Sequence, residues 1–290
     1  GVFVQYSRNR RSGEKSDEGG YRMANGVLVD LTKCVGCGSC TVACKLYNHL
    51  PFKSPVDQKH YLTHSEDAKT NGFTWTVVRH QKTKVEGHAA WRYVKDQCMH
   101  CQEPACVSSC FSKALTKNPD TGAVNYNPDL CVGCRYCMLA CPFSVPKYEW
   151  HKVLPSVSKC NFCAEKIEKG GHPACASACP TGCLTYGNRD ELLAEAKKRV
   201  RESGKYVSHI YGEEEAGGTS WIYISDVDFN NLGFNTKVPK RSIPKYVHGF
   251  TKYIPFFFLG GTLLWTGSYL YNKRREAVEL SEKGESKDEQ

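Results

Sequence analysis

The run Cys131-Val-Gly-Cys134-Arg-Tyr-Cys137-Met-Leu-Ala-Cys141-Pro142 constrains this chain more than any other stretch. Its first three thiols follow one another at three-residue steps, and a fourth comes four residues later with proline directly behind. Three cysteines on one tight loop can grip three irons of a single iron–sulfide cube. A fourth that starts a helical turn is expected to point its sulfur away, toward a neighbouring cube. Gly133 suits such a loop, because a residue without Cβ lets the backbone bend close to inorganic sulfide.

The run recurs, and the recurrence decides the reading. Cys34, Cys37, Cys40 and Cys44 repeat the spacing. Cys98, Cys101, Cys106 and Cys110 repeat it with two extra residues in the middle, and Cys160, Cys163, Cys175 and Cys179 open an eleven-residue gap between the second and third members. Sixteen of the 17 cysteines are used. Disulfides suit small secreted domains that lack a core, and cysteines two residues apart rarely bridge each other. Structural zinc takes two C-x2-C pairs separated by a longer loop, a pattern that only the fourth set approaches. A zinc-binding scaffold is therefore the distant alternative to four [4Fe–4S] clusters held by all sixteen thiolates.

Composition adds little beyond this. A chain of 290 residues, 40% hydrophobic, can bury a core. A formal net charge of +9 fits an acidic partner, a membrane surface or simply a solvated basic face. Nothing in the sequence points to nucleic acid. No nucleotide-binding glycine motif, P-loop, H-E-x-x-H or nucleophile elbow occurs. A cluster fully ligated by cysteine moves electrons and offers substrate no open iron, so the chain is not expected to be catalytic alone.

Residues 1–25 read as a flexible polar arm without the apolar centre of a secretory signal. Residues 26–97 hold the first set and a long insertion. Gly26 to Leu31 is expected as a strand, and the alternating runs Trp75 to Arg79 and Ala90 to Val94 as two more, with Lys82 to Gly87 a loop between them. His49, His60, His64, His80 and His88 are scattered singly and read as ordinary surface histidines. Residues 98–150 hold the second and third sets, joined by Ala114 to Thr116, the turn Asn118-Pro-Asp-Thr-Gly122, and Ala123 to Tyr126. Residues 151–228 hold the fourth set, an exit strand through Tyr186, a helix capped at Asn188 with Glu191 three positions on, and a strand from Trp221 to Val227. The helix carries the apolar stripe Leu192, Leu193, Ala196 and Val200. Residues 229–252 read as an extended linker. The stretch 253–272 has twenty residues without a charge, a length that can span a bilayer as a single transmembrane helix, and 273–290 reads as a charged, disordered tail.

The second and third sets together resemble one complete bacterial ferredoxin. In that fold each loop gives three ligands to its own cluster and one to its partner's. The resemblance implies one cluster on Cys98, Cys101, Cys106 and Cys141, and a second on Cys131, Cys134, Cys137 and Cys110. The first and fourth sets carry the leftover halves of the same unit, implying clusters on Cys34, Cys37, Cys40 and Cys179 and on Cys160, Cys163, Cys175 and Cys44. The expected fold is α+β, with two interleaved ferredoxin-like modules, one threaded through the other, and the C-terminal transmembrane helix.

Over residues 26–272 the chain resembles the four-cluster iron–sulfur (beta) subunit of membrane-bound molybdopterin oxidoreductases, most of all that of respiratory formate dehydrogenase. Trp75 to Arg79, Cys98-Met-His-Cys101 with Pro104, Pro173-Ala-Cys175 and Cys179-Pro-Thr-Gly182 carry the likeness. Gly133 to Met138 and Val145-Pro-Lys-Tyr148 are as similar to the iron–sulfur subunit of a membrane-bound nickel–iron hydrogenase. The resemblance implies electrons entering from a molybdopterin-containing catalytic subunit and leaving toward an integral membrane cytochrome b or quinone-binding subunit. It also implies contact with membrane lipid at the inner membrane, with the cluster domain on the periplasmic side. The chain departs from the pattern at Lys45 and Phe111, which stand where proline usually follows the last cysteine, and at Cys183, where alanine is usual and a small buried thiol is the simple expectation.

Overall fold

A computed structural model describes residues 25–53, 63–85, 87–150 and 156–288, the side chains of 64 and 281–288 excepted. The expected arm lies outside the described residues except for its last position. In chain order β1 (Asn25–Asp30) leads into the first cysteine set, and α1 (Ser39–Tyr47) carries the second half of that set. The insertion contributes β2 (His64–Ser65), β3 (Val77–Val85) and β4 (His88–Asp96). The second and third sets hold α2 (Ala105–Ser108), β5 (Leu115–Lys117), β6 (Val124–Tyr126) and α3 (Tyr136–Ala140), followed by β7 (Lys147–Tyr148). The fourth set is bracketed by β8 (Val157–Ser158), α4 (Ala164–Glu168), α5 (Ala174–Ser177) and β9 (Leu184–Asn188). Then come α6 (Arg189–Ser203), β10 (Trp221–Ile224), α7 (Ile243–Thr251) and α8 (Ile254–Asp288).

β1 is the centre of the main sheet, whose order is β10-β1-β9. Val27, Leu28 and Val29 are fully buried, as a strand covered on both faces requires. β1 runs antiparallel to β9, with Val29 opposite Leu184, and parallel to β10, with Val27 opposite Trp221. Alternate side chains face opposite ways. Leu28, Ile222 and Ile224 pack under Leu192 and Ala196 of α6. Val27, Val29 and Leu31 face the other way, onto Phe162, Cys175, Cys183 and Tyr223. One face of the sheet thus closes a small aliphatic core, and the other forms a wall of the cysteine region. The sheet also ties the first cysteine set to the fourth, while the β5–β6 hairpin, with Leu115 opposite Tyr126, ties the second to the third.

α6 forms where its stripe places it. The Asn188 side chain accepts from the backbone N–H groups of Asp190 (2.9 Å) and Glu191 (3.4 Å), and the helix stops at Gly204 in left-handed backbone.

Four expectations need correction. Strands β3 and β4 pair through Val85 opposite His88, so the expected loop Lys82 to Gly87 shrinks to a tight turn. Cross-strand contacts persist there, with the Lys82 ammonium 5.1 Å from the Trp91 ring. The stretch expected as a linker packs instead: Phe229, Leu232, Val238 and Ser242 are buried, and Pro244 sits in the first turn of α7. The tail is helical as far as Asp288, continuing α8 through a segment rich in Glu, Lys and Arg, with Arg275 bonded to Glu279 one turn on. Finally, no helix among the described residues is long and apolar enough to cross a membrane. Within 253–272 the Phe and Leu residues are diluted by Gly260, Gly261, Thr262, Thr266, Gly267, Ser268 and Asn272, so the single-pass anchor is not upheld.

Candidate functional site: four rings of cysteine sulfur

Each cysteine set opens on the same backbone device. The residue just before the second cysteine is left-handed in all four: Gly36 (φ 69°), His100 (47°), Gly133 (69°) and Phe162 (60°). The turn reverses the chain between the first two thiols, so both point inward. A Cβ on Gly133 would meet no protein atom within 4 Å, so what this position demands is the left-handed conformation that glycine adopts freely.

Three of the four groups implied by the resemblance line a cavity each. Cys34, Cys37, Cys40 and Cys179 line one cavity, of about 420 Å³ with its solvent-open part included. Cys44, Cys160, Cys163 and Cys175 line a second, of about 310 Å³, and Cys110, Cys131, Cys134 and Cys137 a third, of about 290 Å³. In the remaining group Cys98 packs with Cys141, and the charges of Cys98, Cys141 and Cys106 act on Cys101. All 17 cysteines are free thiols, which removes the disulfide reading. Among the described residues no three His, Cys, Asp or Glu side chains are gathered closely enough to hold a metal ion. A zinc site draws its sulfurs to about 2.3 Å from one point. Four thiols lining a cavity suit a cube of iron and sulfide.

The rings stand in a row. Cys34 and Cys40 share a core with Cys175, Cys160 packs with Cys98, and Cys106 packs with Cys137. The order is therefore the ring of Cys34, that of Cys160, that of Cys98 and that of Cys131. Cys37 and Cys134, one in each end ring, are exposed, whereas Cys44, Cys160, Cys163 and Cys175 are buried. One correction concerns Cys141. It follows the end of α3 in extended backbone and starts no helical turn, and its sulfur joins Cys101 all the same.

Burial dominates the electrostatics. Desolvation pushes the Cys40, Cys44 and Cys106 thiols up to about 12 and Cys141 to about 11, and it holds Cys101 and Cys160 well above the ordinary thiol range. Bare thiols there stay protonated, and metal binding must displace their protons. Hydrogen-bond donors already stand at the sulfurs. Cys160 Sγ accepts from the Phe162 N–H at 3.3 Å and Cys163 Sγ from the Ala174 N–H at 3.5 Å. The Tyr148 hydroxyl lies 3.3 Å from Cys137 Sγ.

Several residues escaped sequence reasoning. Lys95, Lys117 and Lys159 are drawn into the cysteine region. The Lys117 ammonium donates to the carbonyls of Gly122 (2.8 Å) and His100 (3.2 Å), and Lys159 to that of Cys160 (3.0 Å). Cys183 is buried as expected, but it does more than pack. It lines the cavity of the Cys34 ring, and its interaction with the sulfurs pulls the Cys179 thiol down to about 4 and the Cys34 thiol to about 7. Lys45 replaces a helix-ending proline, so α1 continues past Cys44. Its ammonium reaches the carbonyls of Pro51 (2.7 Å) and Phe73 (3.2 Å) and the Thr74 hydroxyl (3.1 Å), clamping the insertion to the helix. Phe111 is 68% exposed beside the Cys131 ring. Of the five histidines scattered through the insertion and its borders, His60 and the side chain of His64 lie outside the described residues, and none of the other three lines a cysteine cavity.

Two models of 4Fe–4S dicluster domains match the chain, over residues 33–114 and 89–189. A protein of Nitratidesulfovibrio vulgaris is 42% identical over 270 residues, covering 92% of this chain and 72% of that one. The hydrogenase-2 operon protein HybA of Escherichia coli O157:H7 is 38% identical over 238 residues, covering 71% of each chain. The iron–sulfur subunit of the nitrate-inducible formate dehydrogenase of Escherichia coli K12 is 32% identical over 209 residues, covering 70% of this chain and 69% of that one. This chain belongs to the family of 4Fe–4S dicluster iron–sulfur subunits. A dicluster subunit of this kind transfers electrons through 4Fe–4S clusters and is related to formate dehydrogenase and hydrogenase-2 subunits. The two domain matches overlap at the second cysteine set, and the main sheet joins the first set to the last.

Proposed function

We propose that the chain carries four [4Fe–4S] clusters, one in each cysteine ring, and relays electrons between a catalytic subunit and an acceptor in the membrane without being catalytic alone. The carrying observation is that sixteen thiols separate into four rings of four, set in a row with exposed members only at the two ends. When bound, the clusters supply one-electron transfer from ring to ring. The protein's part is to hold the thiolates, exclude water from the middle rings and direct N–H and O–H groups at the sulfurs, all of which set potential. Exposed apolar side chains flank both ends, Val35 beside Cys37 and Val132, Tyr136 and Leu139 around Cys134, and we assign these ends to protein partners.

The partners of this reading are a molybdopterin-containing catalytic subunit of the formate dehydrogenase type on the donor side and a membrane cytochrome b or quinone-binding subunit on the acceptor side. A second reading, with a nickel–iron hydrogenase as donor, is favoured by one specific observation, the higher identity to HybA than to the formate dehydrogenase subunit. Anaerobic purification followed by iron and acid-labile sulfide analysis tests the central claim. About sixteen irons per chain are expected if every ring holds a four-iron cluster, in a brown protein that bleaches on reduction. Negligible sulfide would refute the relay. Reduction of the co-purified complex by formate or by hydrogen separates the two donors.

A further inference from the structure

We propose that Lys95 is a positioning residue for electron transfer, a fixed charge shared by two of the four rings that raises the reduction potential of both. This rests on the four-cluster reading above and adds a tuning role to a residue outside the ligand set.

Lys95 is the one residue among those described that lines both the cavity of Cys34, Cys37, Cys40 and Cys179 and that of Cys44, Cys160, Cys163 and Cys175. It is only 3% exposed. Its ammonium donates to the Thr76 hydroxyl (2.7 Å) and to the Gln97 side-chain oxygen (2.8 Å), and it stands 4.4 Å from the centre of the Trp221 ring. Among the described residues no carboxylate bonds it. Every partner is neutral, so its positive charge is left to act on the sulfur rings on either side. A cation buried at this depth without a carboxylate is costly, and four thiolates per ring are the groups that can compensate it.

The direction follows from charge. A cluster bound by four thiolates is net negative, and taking up one electron makes it more so, with no bond made or broken. A cation held nearby in a medium of low dielectric therefore favours the reduced form. Placed between two rings, it also softens the repulsion that would otherwise oppose reducing both. Lys117 and Lys159 differ from it, since they bond to backbone carbonyls and line neither of these two cavities.

The test uses the full chain in its complex, as wild type, Lys95→Met and Lys95→Arg. Iron and sulfide are counted, and each cluster is titrated potentiometrically by electron paramagnetic resonance. With iron retained in Lys95→Met, two of the four clusters become tenfold or more harder to reduce, a downward shift of about 59 mV or more for a one-electron couple. The other two stay in place, and Lys95→Arg keeps potentials near wild type. Unmoved potentials, or an equal shift in all four clusters, overturn the proposal. If Lys95→Met loses iron, Lys95→Gln is read by the same criteria. Loss of iron in both, with Lys95→Arg intact, makes the charge purely structural and also overturns it. A wild type without four clusters sinks the relay reading itself, whereas a wild type with four clusters and immobile potentials sinks only the role of Lys95.

Discussion

The imidazole of His100 stacks on the ring of Phe162 with 4.8 Å between centroids, and both residues are left-handed at the same place in their loops. The Val124 N–H donates to His100 Nδ1 at 2.9 Å, and Phe162 is fully buried. Non-glycine residues in this conformation cost of order 1–3 kcal/mol each and persist only where packing overdetermines them. Here each of the two strained turns is held in part by the other, across the boundary between the modules.

Phe162→Ala should accordingly cost about 3–5 kcal/mol and loosen both turns. The measurement is the denaturant midpoint at which cluster absorbance is lost. A variant with an unchanged midpoint would show that the stacking does not hold the loops.

The threading of the modules makes a sharper prediction from cysteine variants. Cys44→Ala and Cys160→Ala, far apart in sequence, should remove the same cluster, and so should Cys110→Ala and Cys131→Ala. Each should lower iron by about one quarter if each ring holds one cluster. The resonance signal lost should be common within a pair and different between pairs. If instead Cys44→Ala silences the signal lost with Cys34→Ala, the proposed ligand sets are wrong.

Arg92 donates to Asp226 through Nε at 2.9 Å and through an amino group, tying the β3–β4 hairpin to the end of β10. Asp226 is only 4% exposed. Burial pushes its carboxyl up, but the Arg92 hydrogen bonds and charge outweigh this and leave it below the usual range. A depressed folded value means stability that is complete above the ordinary aspartate range and lost as pH falls through the folded value. Asp226→Asn should therefore destabilise by about 3 kcal/mol at neutral pH and by progressively less in acid. A stability difference independent of pH would rule out the ionic account.

Gly212 is left-handed (φ 94°), and a Cβ there would lie 2.2 Å from the Trp221 carbonyl oxygen and 2.6 Å from Thr219 Oγ1. Gly204 is also left-handed, but nothing lies within 4 Å of its would-be Cβ. Gly204→Ala should cost about 1 kcal/mol, seen as a small fall in melting temperature. Gly212→Ala should prevent soluble expression, because backbone at that distance cannot give way. Comparable yields of the two variants would contradict this.

Much of the site was legible because cysteine spacing is a covalent constraint that reads directly off the chain. The four cysteine sets were plain in that spacing, their proposed pairing into rings came from the resemblance to a ferredoxin, and strands β1, β5, β6 and β9 announced themselves by apolar runs and a Pro-Gly turn. Other features were not legible because they depend on distant partners. His100 and Phe162 occupy positions that Gly36 and Gly133 advertise, yet no local rule marks them for left-handed backbone. Lys95 sits on an ordinary-looking alternating strand, and only the fold brings it between two rings. The parallel pairing of β1 with β10 leaves no trace in either segment. For 253–272, counting uncharged residues overlooked how many of them are small or hydroxylated.

The central position of β1 bears on how the molecule is made. Among the described strands this one leaves the ribosome first, and the strands on either side of it, Leu184–Asn188 and Trp221–Ile224, leave last. The middle pair of cysteine sets can close while translation continues, whereas Val27, Leu28 and Val29 must wait for the far end of the chain, and contacts over such distances form slowly. The main sheet is therefore completed only after every cysteine set lying between its strands has been made.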